Sequence, residues 1–257
     1  MKNRIYFFTG TGNSLKVAEE IAKTLKECEL VAINKDVGME IPEEYERIGF
    51  VFPVYFWGLP RMVAEFIKNA SFPKQGSTYY FAVATFGGIP GNSISMTSSL
   101  LKEKRVQLNY NAGIKMYKNA LTFYSMSKNV DKITRESNEK IPLIAKNIEN
   151  KVTNKSRSIN KLIKSIYNKS TSRIHSTDSN FNVNDKCISC GICQKVCPAK
   201  NITIENKKPV FHNQCESCLA CIQHCPKQAI NYKDKTQSRG RYTHPEIGAK
   251  KLMEYYK

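Results

Sequence analysis

Along the first 150 residues the apolar positions switch between two periods. Arg4-Ile-Tyr-Phe-Phe8 is a short apolar run that predicts a buried first strand. Leu15, Val17, Ala18, Ile21, Ala22 and Leu25 then recur at helical spacing. Residues 30–33 predict a second strand, 48–54 a third, and 62–66 the start of a helix after Pro60. A fourth strand is predicted at 79–85, a helix at 92–104, and a split fifth strand at 106–110 and 114–117. Ile133, Ile141, Ile144, Ala145 and Ile148 put one stripe on a last helix, 130–152. Strands alternating with helices predict an α/β fold, a doubly wound parallel sheet over residues 1–150.

From 151 to 180 the composition changes. Lys151, Lys155, Arg157, Lys161, Lys164, Lys169 and Arg173 face a single acid, Asp178, amid Ser, Thr and Asn. Ile159, Leu162, Ile163 and Ile166 form a weak helical stripe, so a basic linker with one short helix is expected to dock on the body. Residues 181–232 form a second, small α+β module. Within it, 201–211 predicts a hairpin turning at Lys207-Lys208-Pro209. Residues 233–257 read as a polar tail packing back on the body, with a helix at 245–256.

Eight of the nine cysteines lie in two near-copies of one run. The first is Cys187-Ile-Ser-Cys190-Gly-Ile-Cys193-Gln-Lys-Val-Cys197-Pro198; the second is Cys215-Glu-Ser-Cys218-Leu-Ala-Cys221-Ile-Gln-His-Cys225-Pro226, 28 residues on. Three thiolates two residues apart can wrap one face of a cubane [4Fe-4S] cluster, while a fourth, three residues later, is too far round to close the same cube. Zinc sites show C-x2-C pairs or Cys/His sets rather than such triplets, and disulfides fit poorly with a chain lacking a secretory signal. The C-x2-C-x2-C-x3-C-P spacing resembles that of the bacterial two-cluster ferredoxins. In those proteins the fourth cysteine ligates the other cluster. The resemblance therefore implies cluster I on Cys187, Cys190, Cys193 and Cys225, and cluster II on Cys215, Cys218, Cys221 and Cys197.

The ninth cysteine, Cys28, is expected as a half-buried thiol on the first helix. The N-terminus has too few apolar residues before Thr9-Gly10 for a signal segment, and the longest apolar stretch, 50–59, contains Pro53, so no membrane span is expected. A cytoplasmic location is the expectation. The formal charge of +18 falls to roughly +12 once two clusters and the phosphate of one further cofactor are added, each about −2. That charge still favours redox partner proteins with acidic docking surfaces. Nucleic acid is not expected, because the basic residues are dispersed and no recognition motif accompanies them. Lys186, Lys195 and Lys200, near the first run, are expected to raise the potential of its cluster.

Between the first strand and helix lies Thr9-Gly10-Thr11-Gly12-Asn13-Ser14, a hydroxyl- and glycine-rich anion loop. A dinucleotide fingerprint would need glycine where Leu15 stands, with Asp36 as a weak ribose acid; a P-loop would need a Gly-Lys-Ser/Thr that is absent. Thr9-x-Thr11-Gly12-x-Ser14 matches the (S/T)-x-T-G-x-(S/T) phosphate signature of the flavodoxins. That resemblance implies a flavodoxin-like five-stranded sheet of order 2-1-3-4-5 with FMN at its switch point, the phosphate held by residues 9–14. Pro53, Val54, Tyr55, Phe56, Trp57 and Gly58 follow strand three, where aromatics would stack on the isoalloxazine and glycine would let backbone approach it. Thr85, Phe86, Gly87 and Gly88 follow strand four as a second flavin loop, and Asn119 lies beyond strand five.

The whole chain resembles the flavodoxin–ferredoxin fusion proteins of anaerobic bacteria. The likeness includes Arg239-Gly-Arg241-Tyr242-Thr-His244-Pro245, similar to the basic segment closing such fusions and expected to strap the domains together, with His244 beside a redox centre as the alternative. FMN and two [4Fe-4S] clusters imply an electron carrier that passes low-potential electrons on to partner oxidoreductases. The alternative is a flavin-dependent reductase of a small molecule fed by its own clusters. No catalytic nucleophile–base pair or nicotinamide site is visible.

Overall fold

The computed structural model describes residues 2–256 except 43, 44, 74, 75, 77, 127 and 128. The chain opens with β1 (Asn3–Phe7), α1 (Asn13–Leu25), β2 (Cys28–Ala32), β3 (Arg47–Pro53), α2 (Arg61–Asn69), β4 (Tyr79–Phe86), α3 (Ser93–Glu103) and β5 (Tyr110–Lys115). All four strand pairings are parallel, in the order β2-β1-β3-β4-β5, the order the resemblance implies.

Side-chain alternation gives this sheet two buried faces. Ile5, Phe7, Val51, Phe81 and Val83 point to one face, where α1 covers them with Leu15, Ala18 and Ile21. Tyr6, Phe8, Phe50, Phe52 and Ala82 point to the other, under Val63, Phe66 and Ile67 of α2 and Leu101 of α3. Burial on both faces explains why the strands read as continuous apolar runs rather than alternating ones. Truncating a fully buried ring such as Phe81 would cost about 3–5 kcal/mol.

Three expectations for the first 150 residues need correcting. The fifth strand is one segment, β5, rather than a split pair; Val106 and Leu108 instead fill the core from the loop before it. The helix expected at 130–152 is two, α4 (Val130–Asn138) and α5 (Ile141–Glu149), because Pro142 has no N–H to continue the first helix and starts the second well. Cys28 begins β2 instead of sitting on α1; it is half-buried, and burial pushes its thiol up to about 12.

The basic segment carries α6 (Lys161–Thr171) and a 3-10 turn at Ile174–Asn180. Asn160 caps α6 by accepting from the N–H groups of Leu162 (3.0 Å) and Ile163 (3.2 Å). Its backbone exchanges two hydrogen bonds with the Asn92 side chain. Tyr167 donates to the Leu59 carbonyl at 2.8 Å, so the helix is fastened on the loop after β3.

The small module contains β6 (Phe181–Val183), α7 (Ile192–Lys195), β7 (Ile202–Glu205), β8 (Lys208–Phe211), α8 (Ala220–Gln223) and β9 (Ile230–Tyr232). β7 and β8 form the expected hairpin, but its turn is Asn206-Lys207, both at positive φ, and Pro209 lies inside β8 opposite Ile204. The tail helix α9 (Ala249–Tyr255) is shorter than expected. It packs Leu252 against the α1 side of the sheet. Among the described residues, no helix is long and apolar enough to cross a membrane.

Candidate functional site

At the carboxyl end of the sheet lies a cleft of about 520 Å³. Its floor is the loop from β1 into α1. That helix has no capping side chain and no acid in its first turn, which leaves its amide N–H groups and positive dipole end for an anion. The loop is held in shape locally. Thr9 Oγ1 accepts from the Gly12 N–H at 3.1 Å, the Ser14 and Thr85 hydroxyls meet at 2.8 Å, and Asn119 Nδ2 donates to Thr11 Oγ1.

Every flavin-contact residue expected from the sequence lines this cleft except Gly12 and Gly58. Gly12, at φ 96°, turns its open side to Ile247 and His244 of the tail. Gly58 lies under Tyr167, whose ring a Cβ would meet at 2.2 Å. Trp57 is 46% exposed at the rim, and Tyr55 stands edge-on to Phe8 with ring centroids 6.0 Å apart. Gly88 lines the cleft and faces open space, a Cβ there meeting nothing within 4 Å. Asp36 plays no part here; it is ion-paired with Lys200. The residues fit FMN: neutral donors and a helix terminus at one end, aromatics and a bare glycine at the other.

The cysteines ring two small cavities. Cys187, Cys190, Cys193 and Cys225 line one, and Cys197, Cys215, Cys218 and Cys221 line the other, so each run lends its fourth cysteine to the other's cavity. Four thiolates on one zinc would bring sulfurs to about 3.8 Å of each other. Among the described residues no His, Cys, Asp or Glu group converges in that way. Burial pushes the free thiols up, Cys193 to about 11 and Cys215 to about 12, so a positively charged iron core is what would hold them as thiolates. Backbone N–H groups already point at sulfur: Asn201 to Cys197 Sγ (3.4 Å), Ser217 to Cys215 Sγ (3.3 Å) and Ala229 to Cys225 Sγ (3.3 Å).

The two kinds of site touch. Ser217, Cys218 and Leu219 line the flavin cleft as well as belonging to the second cysteine loop. Gly10 makes this approach possible, because a Cβ there would lie 2.2 Å from the Cys218 carbonyl oxygen. The cavity of Cys187, Cys190, Cys193 and Cys225 shares no lining residue with the cleft, and Cys190 and Ile188 are exposed there, Ile188 by 58%. Beside the inner cavity, Glu216 is 4% exposed and accepts from the Met62 N–H at 3.3 Å; burial pushes its carboxyl up to about 7.

The tail residues belong to the flavin loop more closely than the sequence suggests. Tyr242 stacks on Tyr117 (4.3 Å) and donates to Asn13 Oδ1 at 2.7 Å, while its N–H donates to Gln223 Oε1 at 2.8 Å. The His244 N–H donates to the Thr11 carbonyl at 2.8 Å, and Tyr256 donates to the Thr9 carbonyl at 2.7 Å. Lys16 is ion-paired with Glu246. Sequence reading also passed over Tyr117, Phe123, Tyr124 and Ser170 in the cleft wall. The Phe123-Tyr124 pair just beyond β5 was the available signal.

Two family models match the chain: a flavodoxin domain over residues 4–109 and a 4Fe-4S dicluster domain over residues 186–230. The chain is a flavodoxin–ferredoxin fusion. Solved structures similar to the fusion include a Streptococcus pneumonia TIGR4 flavodoxin, 13% identical over 59% of this chain and 100% of that one, with a TM-score of 0.43. Rubredoxin oxygen:oxidoreductase from the anaerobe Desulfovibrio gigas is 14% identical over 65% of this chain and 37% of that one, TM-score 0.42. Two-electron reduced Megasphaera elsdenii flavodoxin is 17% identical over 43% of this chain and 83% of that one, TM-score 0.35. No curated protein matches the fusion. Its two domains make it an electron-transfer protein of the FMN and iron–sulfur kind.

Proposed function

We propose that this fusion moves electrons between FMN in the cleft and partner oxidoreductases through two [4Fe-4S] clusters in series, the inner one beside the flavin and the outer one at the surface. The observation that carries the reading is Cys218, which lines the flavin cleft and the inner cysteine cavity together. When bound, FMN supplies one- or two-electron storage and each cluster a one-electron step. The chain's own part is placement. Thr9, Gly10, Thr11, Asn13 and Ser14 would hold the phosphate, Trp57 and Tyr55 would flank the ring, and Gly10 lets the phosphate loop lie against the second cysteine loop.

Docking is proposed on the outer face. Cys190 and Ile188 are exposed there, and exposed Lys186, Lys195, Lys207 and Lys227 surround them on the flanking turns. An acidic one-electron partner matches this surface, and its association should slow as ionic strength rises. A cytoplasmic setting suits such traffic. The second reading, a reductase of a small molecule, is favoured by the exposed rim of Trp57, Ile89 and Phe123 around the cleft.

The test is cofactor content and turnover after anaerobic purification. The carrier reading expects one FMN and about eight irons per chain, with reduction of acidic acceptor proteins and no specific small-molecule turnover. Zinc in the cysteine sites overturns it, and steady reduction of one small compound by a chemical donor moves the assignment to the reductase.

A further inference from the structure

The two cysteine cavities have unlike electrostatic surroundings. Apart from cysteines, the ionisable side chain on the inner wall is Glu216, and on the outer wall it is Lys227. A deeper charge stands behind each. Asp178, 2% exposed, accepts from Asn201 Nδ2 at 2.7 Å and from the Asn213 N–H at 3.1 Å, and its Oδ1 has no partner. Asn201 in turn directs its backbone N–H to Cys197 Sγ, so one residue separates this carboxylate from an inner ligand. On the other side Arg241 donates to the Ile230 carbonyl (3.2 Å) and to Asn231 Oδ1 (2.8 Å), and Ile230 is part of the outer wall. Its remaining acceptors are the carbonyls of Thr236 and Arg239. Neutral groups therefore surround both charges, and neither is cancelled by an ion pair among the described residues.

Reducing a cluster adds one negative charge, which a nearby carboxylate and a dry wall resist and which a nearby guanidinium and water favour. Exposure acts in the same sense as charge: Cys190 is open to solvent, whereas Cys215 and Cys221 are buried and the half-buried Cys218 lines the flavin cleft. The amide donors act against it, two reaching inner sulfurs and one an outer sulfur. Those are dipoles, whose influence falls off faster with distance than that of a full charge. Lys200, three residues past Cys197, is paired with Asp36 and does not offset Asp178.

We infer that Asp178 and Arg241 set the order of the two cluster potentials, the inner centre being the harder to reduce. This rests on the two-cluster reading above. A single electron in the ferredoxin module then rests on the outer centre, at the exposed docking face, and its step back to the inner centre is uphill. The fold is thereby biased toward outward delivery.

The test is an anaerobic potentiometric titration of the full-chain holoprotein, followed by electron paramagnetic resonance, for wild type, Asp178→Asn, Arg241→Gln and Arg241→Lys. Two one-electron waves are expected. Asp178→Asn should raise the lower wave alone, and Arg241→Gln should lower the upper wave alone. A tenfold change in the reduced-to-oxidised ratio at fixed potential would appear as a 59 mV shift. Arg241→Lys, which keeps the charge, should restore most of the upper potential. The inference is overturned if Asp178→Asn moves the upper wave or neither, or if Arg241→Gln leaves the upper wave in place. Should Asp178→Asn fail to assemble its clusters, the two Arg241 variants decide the matter alone. A folded, flavin-loaded protein with no iron–sulfur signal would instead overturn the two-cluster reading, a different failure.

Discussion

Gly10→Ala tests the contact on which the electron path depends. The added methyl carbon would sit 2.2 Å from the Cys218 carbonyl oxygen, where ordinary contact starts at 3.4 Å, so the loops must part by about 1.2 Å. Backbone stands on both sides, and no side chain can rotate away. Overpacking of this kind costs about 1–3 kcal/mol. For a chain of this size each kcal/mol lowers the melting midpoint by about 2–4 °C, so a drop of roughly 2–12 °C is expected. Gly38→Ala is the control, because a Cβ there meets nothing within 4 Å. The assay is anaerobic thermal unfolding by circular dichroism, with flavin-to-cluster electron transfer followed by stopped flow on the same samples. Gly10→Ala should melt lower and transfer more slowly, while Gly38→Ala matches wild type. Equal melting and equal rates for both variants would refute the close approach.

Other expectations concern single groups. Tyr242→Phe keeps the stack on Tyr117 but leaves Asn13 Oδ1 without its donor; a loss of about 1 kcal/mol should weaken FMN binding about fivefold by fluorescence titration, and unchanged affinity would detach the tail from the phosphate loop. Trp57→Ala should cost about 0.5–1.5 kcal/mol of flavin affinity if the ring stacks, whereas a pure rim residue would leave the dissociation constant alone. His244, 1% exposed, is pushed down from 6.5 to about 4 by burial. A base whose folded value is depressed stabilises above its unfolded value, so up to about 3 kcal/mol should vanish as pH falls from about 6.5 toward 4. His244→Gln should flatten that limb of the stability profile, and an identical slope in the variant would refute it.

The grouping of the candidate residues was legible in the sequence. Cys187 to Pro198 and its copy supply the cysteines that line two cavities, and Thr9–Ser14 forms the loop under the cleft. The strands were readable because both sheet faces are buried, which makes Tyr6, Phe7 and Phe8 one apolar run. What stayed hidden depends on residues far apart in the chain. Nothing in the periodicity places Cys218 against Gly10, and the bond from Tyr242 to Asn13 spans 229 positions. The expected helix at 130–152 broke at Pro142, where a missing donor outweighed an unbroken apolar stripe. Tyr167, which fastens the basic linker to the Leu59 carbonyl, carried no signal of that bond in the sequence around it.

An iron-edge anomalous difference map from crystals of the anaerobically purified holoprotein would test the central claim most directly. Two iron peaks are predicted. One lies inside Cys197, Cys215, Cys218 and Cys221 beside the flavin cleft, and the other inside Cys187, Cys190, Cys193 and Cys225 at the surface. A single peak, or the surface cysteines found next to the flavin, would contradict the order of centres on which the account rests.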